Sequence, residues 1–300
     1  MKASINPDKA TIFDVKRDCS EDGPGIRTTV FFKGCPLSCV WCQNPEGRRA
    51  ECQLSYNVTR CMAERCGTPC TKVCPSKCIE LGAPISVDFD ACTYCGRCVS
   101  VCPTHALEPV GFQISLTELL YRIEIDHPFY RSTGGGVTLS GGEPTRQMNF
   151  IHAFLVELHT RGVHTTIETS GFFHYERFKA DVLPYLNHIY YDFKLFDEAE
   201  SVRFTGQSNK PVIANFLHLL EDAEIPVIPR IPLIPNITAT KDNLQAISAF
   251  LKQHGVSQLV LLPYNPLWRD KAQKIGVQSH VSCSSQFMSR DELERCIRYI

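Results

Sequence analysis

The stretch TTVFFKGCPLSCVWCQNPEG, residues 28–47, runs from β-branched and aromatic residues directly into three cysteines. Its first part predicts a buried strand, because such residues favour extended, packed backbone. Cys35, Cys39 and Cys42 follow with Cys-x3-Cys-x2-Cys spacing and no fourth cysteine at close range. Three thiolates can hold three corners of a 4Fe–4S cube and leave one iron open, as catalytic metal sites keep one position free for a reactant.

Five further runs of this kind occur along the chain, with amphipathic helical segments between most of them. They are GVTLSGGEP (136–144), HTTIETSG (164–171), HIYYDFKL (188–195), IPVIPRIPLIP (225–235) and QLVLLPY (258–264). Strands and helices that alternate in this way predict an α/β fold with parallel βαβ units, about six when residues 28–34 are counted.

Polar or conformationally special residues follow the C-terminal end of each run. They are Cys35 onward, Gly141, Gly142 and Glu143, Glu168 and Thr169, Asp192 and Lys194, Arg230, and Tyr264 with Asn265. In β/α barrels the site lies at that face, so we expect these residues to converge on one mouth. Asp192 and Lys194 point to the same face of their strand; a mutually paired or solvated strand end is the alternative for them.

Bulk composition excludes several classes of protein. The chain has 300 residues, 43% of them apolar, and a formal net charge of −1, so we expect a globular protein and no nucleic-acid partner. No run of 18 apolar residues is present, and MKASINPDKATIF (1–13) lacks the apolar core of a secretory signal; we therefore expect neither a membrane span nor export. Of the 16 cysteines, 13 cluster between residues 35 and 102, which favours metal ligation in a reducing compartment over disulfides or structural thiols.

The middle of the chain contains a repeated cysteine pattern. CTYCGRCVSVCP (92–103) has the Cys-x2-Cys-x2-Cys-x3-Cys-Pro spacing of a bacterial ferredoxin, in which the fourth cysteine ligates the other cluster of a pair. CMAERCGTPCTKVCP (61–75) is a looser copy. Crossed ligation predicts one cluster on Cys61, Cys66, Cys70 and Cys102, and another on Cys92, Cys95, Cys98 and Cys74.

Zinc is the main rival for these ligands, but zinc ribbons separate their cysteine pairs by a longer loop. Aligning the two copies places Cys78 where the second has Ala106, so we expect Cys78 to be a packed apolar thiol and not a ligand. The cysteines outside both patterns are predicted to be structural: Cys19, Cys52, Cys283 and Cys296.

The three-cysteine pattern, with Trp41 before its last cysteine, resembles the radical S-adenosylmethionine (SAM) superfamily. Further motifs occur in the order typical of one branch: DGPGIRTTVFFKGC (22–35), WCQNPE (41–46), GGGVTLSGGEP (134–144), ETSG (168–171), YDFKLFD (191–197), TGQSN (205–209) and LLPYNPL (261–267). That branch is the glycyl-radical-enzyme activating enzymes, similar to the pyruvate formate-lyase-activating enzyme. The resemblance covers roughly residues 11–275.

The resemblance implies a partial (β/α)6, TIM-like radical SAM barrel with an inserted ferredoxin-like domain carrying two 4Fe–4S clusters. Residues 11–51 and 109–300 would form the barrel, and residues 52–108 the insert. It further implies an enzyme whose third cluster, on Cys35, Cys39 and Cys42, chelates SAM through its open iron. One electron then cleaves SAM to methionine and a 5′-deoxyadenosyl radical, which takes a hydrogen atom from one glycine of a large partner enzyme.

The resemblance also assigns residues to SAM. Trp41, Gly141, Gly142 and Arg230 would lie around it, with the glycines allowing close backbone approach and Glu143 accepting from its ammonium group. Lys194 would pair with the SAM carboxylate. Asp192, Glu168 and Thr169 resemble a site for a monovalent cation, although family members often have Asp at 168. Asn265 stands where several members have a histidine that holds the adenine.

Two alternatives to the activating-enzyme interpretation are a radical SAM enzyme acting on another peptide or a small molecule, and a non-enzymatic electron carrier. The resemblance also bears on the partner, because the simplest family members, which activate pyruvate formate-lyase, lack the eight predicted cluster ligands of residues 61–102. Their presence here favours a partner of the dehydratase, decarboxylase or C–N/C–S lyase type. The insert either relays electrons from reduced flavodoxin or ferredoxin or docks the partner. Oxygen-sensitive clusters imply an anaerobic cytoplasm.

Overall fold

The computed structural model describes residues 8–278 and 283–300; residues 1–7, part of the stretch considered above for an export signal, lie outside them. The strands are β1 (Lys9–Cys19), β2 (Arg27–Phe32), β3 (Gln53–Tyr56), β4 (Ile79–Glu80), β5 (Ser86–Val87), β6 (Leu107–Val110), β7 (Phe112–Ser115), β8 (Gly136–Gly141), β9 (His164–Thr169), β10 (His188–Asp192), β11 (Val227–Pro232) and β12 (Val260–Leu262). The α-helices are α1 (Pro69–Val73), α2 (Arg97–Ser100), α3 (Leu116–Glu124), α4 (His127–Thr133), α5 (Met148–Thr160), α6 (Tyr175–Asp181), α7 (Glu198–Thr205), α8 (Lys210–Asp222), α9 (Lys241–Gln253), α10 (Trp268–Lys274) and α11 (Arg290–Ile297). Short 3-10 helices span Pro45–Gly47, Val58–Arg60, Ala63–Cys66, Pro144–Gln147 and Leu183–Tyr185.

Eight strands form one sheet in the order β12-β11-β10-β9-β8-β2-β1-β7. The six from β2 to β12 pair in parallel, and they are the six runs from which the sequence predicts parallel units, so the α/β prediction is confirmed. β1 pairs antiparallel with both β2 and β7. The sequence did not predict β1, whose polar residues alternate along a half-buried strand and resemble a loop in composition.

The two faces of the parallel strands differ in character. One face is apolar and packs against helices such as α5, which buries Ile151, Phe154 and Leu158 completely. Polar side chains of neighbouring strands meet on the other face, where the Arg27 guanidinium donates to Thr138 Oγ1 at 2.6 Å. Parallel strands are normally covered on both faces, and here the second face is filled by hydrogen-bonded polar groups.

The cysteine-rich segment folds around its own small core. β3 pairs with β6 and β4 pairs with β5, so β6 extends just past the boundary predicted at residue 108. The backbone shows the predicted repeat: Thr68 and Gly96 precede α1 and α2 with φ of 46° and 75°, and Lys77 and His105 follow with φ of 50° and 52°. These left-handed conformations at matched positions indicate two copies of one local fold.

No helix in the part of the chain that the structure describes is long and apolar enough to cross a membrane.

The Gly171 position tests the packing at the C-terminal end of β9. Its φ is +77°, and an added Cβ would lie 2.0 Å from Tyr191 Oη, a fully buried side chain that cannot move aside. We expect Gly171→Ala to lower the free energy of unfolding by about 3 kcal/mol, through overpacking and backbone strain. Gly162→Ala is the matched control, because Gly162 has φ of +66° and open space around it; we expect it to cost only about 1 kcal/mol. Equal unfolding midpoints for the two variants in thermal denaturation would contradict this packing.

Candidate functional site

The three cysteines after β2 line a common cavity of about 500 Å³. Arg48 and Trp268 also line it. Burial raises the pKa of the Cys35, Cys39 and Cys42 thiols, so a nearby positive charge would be needed to hold them as thiolates. Iron supplies that charge, since a coordinating thiol is deprotonated by its metal. The donor set and the cavity therefore fit a cluster with three thiolate ligands.

Backbone hydrogen bonds to the segment after β10 hold this cysteine loop. Ser38 N donates to Thr205 O at 2.7 Å, and Val40 N donates to Phe204 O at 3.1 Å. Gly206 follows with φ of +77°, and an added Cβ there would lie 2.3 Å from Ser38 Oγ. TGQSN (205–209) is one of the motifs that carry the family resemblance, but the sequence predicts no role for it. The signal that could have predicted this contact is Gly206, a glycine directly after a helix, which marks a left-handed C-cap.

The base of the loop is packed backbone against backbone. A Cβ on Gly142 would lie 2.4 Å from Gly47 O and 2.5 Å from Gly34 O, and one on Gly141 would lie 2.5 Å from the backbone of β2. Glu143 N donates to Gly34 O at 2.8 Å. The chain's own backbone occupies the space that side chains at Gly141 and Gly142 would need. The predicted approach of a ligand to these glycines stays a prediction.

The Glu143 carboxylate is fully buried and surrounded by donors. It accepts from Thr145 Oγ1 at 2.8 Å, Thr169 Oγ1 at 3.0 Å, Ser170 N at 2.8 Å and Ser170 Oγ at 2.7 Å. Burial raises its pKa, and a carboxylate has only about four lone-pair sites. Glu143 thus joins the ends of β8 and β9, and its role toward a ligand stays a prediction.

A row of alternating charges crosses the ends of β8 to β11. Ser140 Oγ donates to Glu168 Oε2 at 2.5 Å, and Arg230 Nη1 donates to Glu168 Oε1 at 2.5 Å. Arg230 Nε also donates to Asp192 Oδ1, and Lys194 Nζ donates to Asp192 Oδ2, each at 3.1 Å. The mutual pairing that the sequence left open for Asp192 and Lys194 is therefore present, with Arg230 as a second cation.

The pKa shifts follow from burial and from this pairing. Burial raises the pKa of Glu168 despite Arg230. Burial opposes ionisation of Asp192 as well, but Lys194 and Arg230 together hold its pKa below the usual range. Burial also disfavours the Lys194 ammonium, yet Asp192 raises its pKa, and a thiolate at Cys39 would raise it further. Lys194 therefore connects the charged row electrostatically to the cysteine loop.

Trp41 and Asn265 have structural partners. Trp41 is buried, with its ring 6.4 Å from that of Phe204, and anchors the cysteine loop in an apolar cluster. Asn265 Oδ1 accepts from Leu267 N at 2.9 Å, and its carbonyl accepts from Gln43 Nε2 at 3.1 Å. Neither side chain reaches the charged row, and their predicted contacts with SAM stay predictions.

The other predicted ligands fall into two cavities. The Cys92 cavity is lined by Cys74, Cys92, Cys95 and Cys98, and the Cys66 cavity by Cys61, Cys66, Cys70 and Cys102. All 16 cysteines lie in the described residues and none forms a disulfide. Within residues 8–278 and 283–300, no three His, Cys, Asp or Glu side chains lie close enough to hold a single metal ion. The grouping is the one that crossed ligation predicts, and the ligand sets themselves stay predictions.

Cys78 is buried in the core of the cysteine-rich segment, as Ala106 is at the matched position. Its Sγ lies 3.4 Å from Cys74 Sγ, and it lines the Cys92 cavity together with Cys52. Cys78 thus packs as an apolar thiol while standing next to a predicted ligand.

Comparison with known proteins matches both parts of the chain. Residues 85–108 match a family described as "4Fe-4S binding domain". The isethionate sulfite-lyase activating enzyme of Nitratidesulfovibrio vulgaris is 40% identical, over 86% of this chain and 85% of the relative. The trans-4-hydroxy-L-proline dehydratase activating enzyme of Clostridioides difficile is 38% identical, over 88% and 87%. The choline trimethylamine-lyase activating enzyme of Oleidesulfovibrio alaskensis is 35% identical, over 97% and 95%.

These relatives match most of the chain's length, at identities that establish common descent. The protein belongs to the glycyl-radical-enzyme activating enzymes of the radical SAM class.

Proposed function

We propose that this chain binds SAM at a 4Fe–4S cluster on Cys35, Cys39 and Cys42 and transfers the resulting radical to a glycine of a partner enzyme. The observation that carries the proposal is the three-thiol loop, fixed at the C-terminal edge of a parallel sheet beside Lys194. Held by these three cysteines, a bound cluster would supply the one electron that cleaves SAM to methionine and the 5′-deoxyadenosyl radical. The protein's own part is to position SAM, exclude water and present the partner's glycine.

Lys194 is the residue best placed to receive the SAM carboxylate. Its side chain is one-sixth exposed, and its ammonium is held by Asp192 and would be stabilised by a negative charge on Cys39. Glu143 acts as a positioning residue that joins two strand ends, and it can accept from the SAM ammonium only if one of its present donors is released. The backbone that lines the SAM site is supported by four further residues: Trp41, Gly141, Gly142 and Asn265.

Arg230 takes the place that a monovalent cation would fill beside Glu168, Thr169 and Asp192. The Arg230 and Lys194 side chains already neutralise both carboxylates of the row. A metal cation there would meet two fixed positive charges in a poorly solvated site, where like charges repel strongly.

The sheet serves as a partial (β/α)6 barrel built from residues 11–51 and 109–300, with an insert at residues 52–108. Two cavities support two auxiliary 4Fe–4S clusters in the insert, three clusters in total. The Cys66 cavity is lined by the four predicted ligands, and the Cys92 cavity is lined by its four predicted ligands together with Cys52 and Cys78. The repeated left-handed positions support the same two clusters. Reduced flavodoxin or ferredoxin is the electron donor, and such clusters persist in an anaerobic cytoplasm.

The partner is a glycyl-radical enzyme of the dehydratase, decarboxylase or C–N/C–S lyase type. Relatives that match nearly the whole chain, insert included, are named as activating enzymes of a sulfite-lyase, a dehydratase and a trimethylamine-lyase. This chain's own partner belongs to the same range of enzymes and is not pyruvate formate-lyase.

The function is tested by electron paramagnetic resonance (EPR). Protein reconstituted anaerobically with iron and sulfide, then mixed with SAM, dithionite and glycyl-radical enzymes of these types, is expected to give a glycine-centred doublet with one of them. Cys39→Ala should abolish the doublet and 5′-deoxyadenosine formation together, because it removes a cluster ligand. Cys296→Ala is the control, since Cys296 lies in the main apolar core. The proposal fails if wild-type protein forms no 5′-deoxyadenosine, or if Cys39→Ala behaves like Cys296→Ala.

Binding of SAM tests the role of Lys194. Lys194→Gln keeps a flexible polar side chain, one atom shorter, and removes its charge, so we expect the Kd for SAM to rise about tenfold, as for loss of one hydrogen bond to a charged group. Lys179→Gln is the matched control, because Lys179 pairs with Asp222 on another surface. Equilibrium dialysis under anaerobic conditions measures both, and equal Kd values would exclude Lys194 from the SAM site.

Cation dependence tests the role of Arg230. We expect SAM cleavage by the wild-type protein to be unchanged when sodium and potassium are replaced by tetramethylammonium at the same ionic strength. Arg230→Ala should make cleavage depend on a small monovalent cation, because Glu168 and Asp192 then lose their shared partner. Cation-dependent cleavage by the wild type would instead restore the cation site that the family resemblance implies.

A further inference from the structure

The two insert cavities stand in different relations to the cavity of the three-cysteine loop. Gln53, at the start of β3, lines both the Cys92 cavity and the three-cysteine cavity. No residue that the structure describes lines both the Cys66 cavity and the three-cysteine cavity. The Cys92 cavity therefore adjoins the three-cysteine cavity, whereas the Cys66 cavity is connected to the Cys92 cavity through the small core that contains both Cys70 and Cys98.

A hydrogen bond links the same two cavities at a second point. Arg49, which lines the three-cysteine cavity, donates from Nη1 to Tyr94 Oη at 2.5 Å. Tyr94 stands between Cys92 and Cys95 and lines the Cys92 cavity. Its own hydroxyl donates to Phe89 O at 3.3 Å.

A third contact lies alongside. The Phe89 ring fills the space over Gly276, where an added Cβ would be 2.2 Å from a ring carbon. Gly276 also lines the three-cysteine cavity. The loop from residue 89 to 95 thus contacts the lining of the three-cysteine cavity twice. The polar contact is Arg49 with Tyr94, and the apolar contact is Phe89 with Gly276.

Gln53 is held from the side of the three-cysteine loop. Lys33 is fully buried, and its ammonium donates to Gln53 Oε1 at 3.1 Å and to Glu46 O at 2.5 Å. Lys33 lies two residues before Cys35, so the same side chain ties the end of β2 to the start of the insert. Buried ammonium groups are costly unless their donors are satisfied, which makes this connection rigid.

We propose that the cluster on Cys74, Cys92, Cys95 and Cys98 is the direct electron donor to the cluster on Cys35, Cys39 and Cys42. The cluster on Cys61, Cys66, Cys70 and Cys102 is one step further away. Arg49, Tyr94 and Gln53 are positioning residues that hold the two neighbouring cavities together. This inference rests on the proposed function.

The transfer moves one electron and breaks no bond. One electron leaves the reduced cluster in the Cys92 cavity and reduces the cluster in the three-cysteine cavity, and no proton need move with it. A low-potential one-electron donor of the flavodoxin or ferredoxin class restores the starting state. The protein contributes the fixed contact between the two cavities.

Magnetic coupling tests the order of the clusters. In dithionite-reduced protein with SAM, we expect the EPR signal of the SAM-binding cluster to be broadened by its neighbour. The broadening should persist in Cys66→Ser and disappear in Cys95→Ser, with iron and sulfide analysis confirming which cluster is lost. Broadening that disappears in Cys66→Ser, or that persists in Cys95→Ser, would overturn the proposed order of the clusters. Wild-type protein that forms no 5′-deoxyadenosine with dithionite overturns the proposed function instead.

A milder pair of variants tests the contact itself without removing a ligand. Tyr94→Phe removes the acceptor of the Arg49 hydrogen bond, and Tyr56→Phe makes the same change beside Cys61. We expect Tyr94→Phe to slow 5′-deoxyadenosine formation with reduced flavodoxin about fivefold, the effect of losing one such hydrogen bond, relative to formation with dithionite. Tyr56→Phe should leave that ratio unchanged. Equal ratios for the two variants would overturn the role of Tyr94.

Discussion

Backbone contact between three glycines is the constraint on which the site depends. Gly34, Gly47 and Gly142 approach so closely that a single Cβ at Gly142 would meet two carbonyl oxygens within 2.5 Å. This contact brings the segment before Cys35 against the turn after β8, and Glu143 then binds the start of the next turn. The backbone of the loop that carries the thiols is thereby held in place by packing against the end of β8.

Charge balance is the second constraint on the C-terminal edge of the sheet, where the functional residues lie. Two carboxylates and two cations alternate from Glu168 to Lys194 in a largely buried row. Each buried ion is costly alone, and breaking one pair leaves its partner uncompensated. The row is therefore sensitive to single substitutions at any member, and Lys194, at its end nearest the cysteine loop, is the member with charge available to a ligand.

The sequence predicted the six parallel strands, the ends at which polar residues gather and the grouping of the eight insert cysteines. These features depend on local pattern, namely strand periodicity and cysteine spacing. It did not predict β1, because a half-buried strand with polar residues on one side resembles a loop. It did not predict the backbone packing at Gly141 and Gly142 and assigned no role to Thr205, Arg49 or Tyr94, since contacts between distant segments leave no periodic signal in one sequence.

The sheet has a further consequence for how the protein is assembled. From β2 to β12 the six parallel strands lie in the order in which they occur along the chain, so this parallel part of the sheet has no point at which the order reverses and no crevice of the kind that doubly wound folds use. The place of a strand in the sequence therefore determines its place along the C-terminal edge of the parallel strands. A segment inserted between β2 and β8 must emerge beside the thiols, whereas one inserted between β11 and β12 would emerge at the opposite end. Because residues 52–108 lie between β2 and β8 in the sequence, they can contact only the part of the edge that lies beside the three cysteines.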